Sequence, residues 1–96
     1  MSRFLGYARG NNLGSQVVDL IEYCRVSGLT EEGIYVEFYE EYDQLEKLIN
    51  NLQYGDVVVI DDPYIISKDA EIYMKFEKEI LGKGAKIKFI RKYIGI

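Results

Sequence analysis

Apolar positions along the 96-residue chain switch repeatedly between a two-residue and a three-to-four-residue period, the alternation that βα units produce. Arg3 to Ala8 reads as a first strand, with Phe4, Leu5 and Tyr7 around Gly6. Asn11 or Asn12 then supplies an N-cap, and Leu13, Val17, Leu20, Ile21 and Cys24 share one face of a helix that stops at Gly28. Ile34 to Phe38 is a second strand. Asp43 with Glu46 forms an aspartate version of the capping box, opening a helix with an apolar stripe of Leu45, Leu48, Ile49 and Leu52.

Tyr54-Gly55-Asp56 is a turn, and Val57 to Ile60 is apolar on both faces, which places it inside a sheet. Asp69 to Leu81 reads as a third helix carrying Ile72, Phe76 and Ile80, closed by Gly82 and Gly84, and Ala85 to Ile90 is the last strand. Right-handed crossovers then give an α/β fold with an open, mainly parallel four-stranded sheet flanked by helices, and the order 2-1-3-4 puts the most apolar strand inside. With one proline and no Gly/Ser linker, residues 1–96 read as a single domain without a separate DNA-binding domain.

Composition narrows the chemistry. There is no histidine, the commonest general base and metal ligand, and the only cysteine, Cys24, allows neither an internal disulfide nor a cysteine-rich zinc site. No apolar run is long enough to cross a bilayer, and the N-terminus does not read as a signal peptide, so the expected location is the cytoplasm and no membrane partner is expected. Net charge is −4 but uneven. Met1 to Tyr64 holds 4 basic against 12 acidic residues (net −8), and Ile65 to Ile96 holds 8 against 4 (net +4). The basic end includes Lys83, Lys86, Lys88, Arg91 and Lys92. An acidic chain is repelled by a phosphate backbone, so nucleic acid is a weak candidate partner that only this basic end supports.

Phe4-Leu5-Gly6-Tyr7-Ala8-Arg9 resembles the opening strand of the serine recombinases (resolvase/invertase family), an apolar run followed by Gly-Tyr-Ala-Arg and Val-Ser. Gly55-Asp56 with Val57 to Ile60 is similar to that family's third strand, and Gly84 to Ile90 to its Gly-rich turn and following strand, so the resemblance spans nearly the whole chain. It implies a resolvase catalytic-core fold. In that family a serine two residues after the motif arginine attacks a DNA phosphodiester while arginines neutralise the phosphate. Arg9 matches the motif arginine, but Asn11 stands at the nucleophile position. Where the family carries Leu-Asp-Arg-Leu and a second arginine, this chain has Pro63, Tyr64, Ile65, Ile66 and then Lys68. The loop between Phe38 and Asp43, which carries a further catalytic arginine in the family, is short here. The resemblance thus implies a degenerate, truncated domain without catalytic residues, acting by protein binding, in the setting of a phage or mobile element.

Other readings stay open at this stage. Ser15 is either a displaced nucleophile or an ordinary first-turn helix residue. Arg9, Asn11 and Asn12 form an anion-binding candidate beside the first helix, unless Arg9 pairs with an acid such as Asp62. Asp61 and Asp62 are a weak Mg²⁺ candidate or simply a turn, and no cofactor is expected. Among the nine tyrosines, Tyr39 and Tyr42 with Glu40 and Glu41 form an interface candidate, set against scattered surface tyrosines. The alternatives to a protein-binding domain are a DNA-transaction protein retaining phosphate contacts or residual chemistry, and a small Mg²⁺ or phosphate-binding enzyme. A protein partner, a second copy included, is the leading expectation.

Overall fold

The computed structural model describes residues 3–10, 12–27, 30–38 and 40–90. Asn11, Gly28, Tyr39, Arg91 and Lys92, all invoked above, lie outside the described residues. The elements are β1 (Arg3–Arg9), α1 (Leu13–Ser27), β2 (Thr30–Glu37), α2 (Asp43–Asn50), β3 (Val57–Ile60), a single-turn helix at Pro63–Ile65, α3 (Ala70–Gly82) and β4 (Lys86–Phe89). All strand pairs are parallel and the sheet order is β2-β1-β3-β4, the expected order that puts the most apolar strand, β3, inside.

Strand alternation sorts the side chains into two layers. On one side Phe4, Ala8 and Val59 pack with Leu20 and Cys24 of α1. On the other, Leu5, Tyr7, Val58 and Ile60 pack with Leu45, Leu48 and Ile49 of α2 and Phe76 and Ile80 of α3. The inner strand β3 is buried from Val58 to Ile60, which accounts for its unbroken apolar run. Arg3 ties the lower edge together. Its guanidinium donates to both Asp56 carboxylate oxygens (3.1 and 2.7 Å), and this holds the Asp56 carboxyl below its usual range despite burial.

The structure corrects several local expectations. β2 starts at Thr30 rather than Ile34, because pairing with buried β1 recruits Thr30 and Glu31 into the ladder before the register shifts to Gly33. Ile21 and Ile72 sit at the margins of their helices' inner faces and remain more than a third exposed. Asp69 does cap α3, accepting from the Glu71 and Ile72 amides, but the expected box at Asp43 and Glu46 does not form. Tyr42 occupies the cap position of α2 with no side-chain bond to it. Among the described residues no helix is long and apolar enough to cross a membrane.

Two glycines give opposite expectations. Gly84 has φ +80°, and a Cβ there would lie 2.3 Å from the Tyr54 ring. Gly14 lies in α1 with nothing within 4 Å of its Cβ direction. Gly84→Ala is expected to destabilise by at least about 1–2 kcal/mol, whereas Gly14→Ala stabilises by up to about 1 kcal/mol. Urea unfolding of the two variants checks the contrast.

Candidate functional site

Parallel strands place all their C-terminal ends on one edge, and there the register sets Arg9 of β1 directly beside Glu37 of β2. Both side chains point to the α2/α3 side because they keep the parity of Tyr7 and Tyr35. Both are buried, at 4% exposure each. The Arg9 Nη1 lies 3.6 Å from Glu37 Oε2 and donates to the Tyr7 hydroxyl (3.2 Å) and to the Glu41 carbonyl oxygen. The Tyr7 hydroxyl donates in turn to Glu37 Oε2. Above the guanidinium, its carbon sits 3.8 Å from the centre of the Tyr42 ring, a cation–π contact.

Glu37 also supplies the missing cap of α2. Its Oε1 accepts from the Gln44 amide (3.0 Å) and its Oε2 from the Leu45 amide (3.1 Å), so a carboxylate reaching across from a neighbouring strand meets the helix N-terminus and its dipole. Gln16 of α1 fixes the other side. Its Oε1 accepts from the Arg9 amide (3.0 Å) and its Nε2 donates to the Arg9 carbonyl (2.9 Å), pairing both backbone groups of the residue that ends β1. Burial opposes the charge on Arg9, yet its contacts with Tyr7 and Tyr42 outweigh this and keep the guanidinium above its ordinary range. Burial and the Glu37 carboxylate push the Tyr7 hydroxyl far up.

In front of this group opens a cleft of about 640 Å³. It gathers most of the positions that the sequence singled out: Arg9, Asn12 and Ser15 on the β1–α1 side, Asp61, Asp62, Tyr64, Ile65 and Lys68 after β3, and Tyr42 above. Ser15, Asn12 and Lys68 are exposed, and Tyr64 is 57% exposed. The acid paired with Arg9 is Glu37, not Asp62. Asp62 instead accepts from the Tyr64 amide (2.8 Å) and caps the Pro63–Ile65 turn, as turn chemistry favours. Asp61 is buried, and among the described residues no group of three or more His, Cys, Asp or Glu could hold a metal.

Tyr42 faces inward rather than outward as an interface anchor. Its ring stacks on Phe76 (4.9 Å between centroids) and its hydroxyl donates to the Ile66 carbonyl (2.9 Å). Glu40 and Glu41 are exposed, and beside them Phe38 is 71% exposed. Glu37, Gln16 and Tyr7 are the residues that sequence reasoning missed. The available signal was parity: Glu37 is two residues beyond Tyr35 and therefore inward, in a strand predicted to adjoin the one ending in Arg9.

Comparison with known proteins follows the same line. No family model matches the chain. It is 36% identical over 95 residues to a resolvase of Clostridium perfringens (strain 13 / Type A), covering 91% of this chain and 48% of the relative. A second Clostridium perfringens resolvase is 34% identical over 95 residues with the same coverage. The structure also superimposes on the C-terminal catalytic domain of ISC1926 TnpA, an IS607-like serine recombinase, with a TM-score of 0.76 at 19% identity, over 97% of this chain and 72% of that one. The chain is a serine recombinase-family domain. It spans about half the length of the resolvases it matches. As a serine recombinase-family domain it has the fold expected from Gly-Tyr-Ala-Arg and the Gly-Asp strand. The residues matched to the family's arginine segment, Tyr64 to Lys68, border the same cleft as Arg9.

Two tyrosines carry a testable pH signature. The Tyr7 hydroxyl is raised far above its ordinary 10.0, and burial plus the Glu77 carboxylate, 3.0 Å away, push Tyr73 up to about 12. A folded-state value above the unfolded one means that the stabilisation is complete below about pH 10 and is lost as pH rises through 12. Ultraviolet titration of the folded chain should therefore show Tyr73 ionising at about pH 12, with Tyr7 ionising only on unfolding. Tyr7→Phe should remove that last step.

Proposed function

We propose that this domain does not cleave DNA and acts by binding a protein partner, with its recombinase cleft converted from a phosphate clamp into a structural joint. The observation carrying this reading is the commitment of Arg9. Its guanidinium, the group matched to the family's motif arginine, is turned to Glu37, the Glu41 carbonyl and the Tyr42 ring. The other described cation lining the cleft is Lys68, and Asp61 and Asp62 line it as well. With Glu37 behind Arg9, three acidic groups face two basic ones, a balance that repels a phosphodiester. Asn11, at the nucleophile position, supplies no hydroxyl for an ester.

The surface best suited to a protein partner is the β2 edge and the turn after it, where Phe38 stands exposed between the strand and Glu40 and Glu41. An aromatic ring among charges is the composition of an interface centre and its rim. A partner with a basic surface fits, and a second copy presenting the Lys86 and Lys88 edge of β4 is one such partner. This reading puts the domain in the cytoplasm, as a regulator carried by a phage or mobile element.

One observation favours residual chemistry instead: Ser15 is exposed in the first turn of α1 and lines the cleft with Arg9. Incubation with supercoiled plasmid separates the two readings. The expected result is neither nicked plasmid nor a covalent protein–DNA adduct. An adduct that disappears in Ser15→Ala would overturn the proposal and make Ser15 a displaced nucleophile.

A further inference from the structure

Glu37 makes an unusual set of contacts for a side chain in a strand. Its carboxylate accepts from two amides at the N-terminus of α2, Gln44 at 3.0 Å and Leu45 at 3.1 Å, and from the Tyr7 hydroxyl, and it lies 3.6 Å from the Arg9 guanidinium. Two converging helix N-terminal amides, a neutral phenol and a guanidinium are the donors that bind a free oxyanion in water-poor sites. The donors are held without Glu37's help. The Arg9 backbone is clamped by Gln16, Tyr7 is rooted in the core, and α2 is anchored by buried Leu45, Leu48 and Ile49.

We propose that this is an oxyanion site which the chain fills with its own carboxylate, and that Glu37 is the residue that excludes phosphate from Arg9. The inference rests on the reading of the cleft as closed to phosphodiesters and names the group that closes it. The shared ligand chemistry is a small oxyanion, carboxylate or phosphate. Arg9 spans both spaces, pairing with Glu37 behind and lining the cleft in front. Removing Glu37 frees the Gln44 and Leu45 amides and the Tyr7 hydroxyl and takes a carboxylate away from the buried Arg9 guanidinium, and such a set of donors recruits an anion.

The test is thermal unfolding of the full chain in chloride, acetate and phosphate at matched ionic strength. Wild type and Glu37→Asp are expected to melt alike in all three. Glu37→Ala should melt lower in chloride and recover in acetate or phosphate with a saturable concentration dependence. At anion concentrations a hundred times the dissociation constant, its folding equilibrium rises about a hundredfold. Adding Arg9→Gln to Glu37→Ala should abolish the recovery, which a general salt effect would leave in place. If Glu37→Ala is unfolded in chloride, either anion should restore a cooperative transition. Absence of recovery in both anions overturns the inference while leaving the reading of the cleft intact. An Arg9-dependent phosphate stabilisation of the wild type overturns that reading, and with it the claim that Glu37 excludes phosphate.

Discussion

Opposite charges buried side by side at the ends of two adjacent strands require a great deal of surrounding structure. Desolvating a guanidinium and a carboxylate costs several kcal/mol per ion unless each gains hydrogen bonds as well as its partner. For Glu37 those bonds come from the α2 amides and Tyr7; for Arg9 they come from Tyr7 and the Glu41 carbonyl, with Tyr42 stacked above. The pair is thereby joined to the start of α2 and to the preceding loop through the Gln44 and Leu45 amides and the Glu41 carbonyl. Removing one member strands the other, so the joint is a single unit in which substitutions are not expected to add.

The fold and the cleft of this molecule rest on different residues. In a phosphate-binding cleft the cationic groups point to a vacancy that the ligand fills. Here the vacancy behind Arg9 is filled by the protein's own carboxylate, and Asp61 and Asp62 line the front. The strand order, register and helix packing depend on the apolar runs of β1 and β3 and on the leucine stripe of α2.

What the sequence made legible divides along the same line. The Val57–Ile60 run, the Leu45-Leu48-Ile49 stripe and the Asp69 cap are local patterns, and the strand order follows from them with the crossover rule. The family resemblance rested on such local motifs too, and the resolvase relatives support it. Glu37 was missed because along the chain it is one more acid in an acidic half, marked only by its parity with Tyr35. Its burial arises only when β2 is laid beside β1. The Asp43/Glu46 box failed for the same cause: a distant carboxylate reached the α2 amides first. Tyr42 looked like an exposed tyrosine among charges, yet its neighbours in space are Arg9 and Phe76. Asn11 was read from sequence alone, as an amide side chain without a hydroxyl.

The central claim is that Arg9 belongs to the interior. Nuclear magnetic resonance of the chain with isotope-labelled arginine side chains reads this directly, since the Arg9 guanidinium hydrogens report both their exchange with water and any contact with added DNA. The account predicts a protected Arg9 signal that does not move when duplex DNA is titrated in. An Arg9 signal that exchanges like that of a solvent-exposed arginine and shifts with DNA would contradict it.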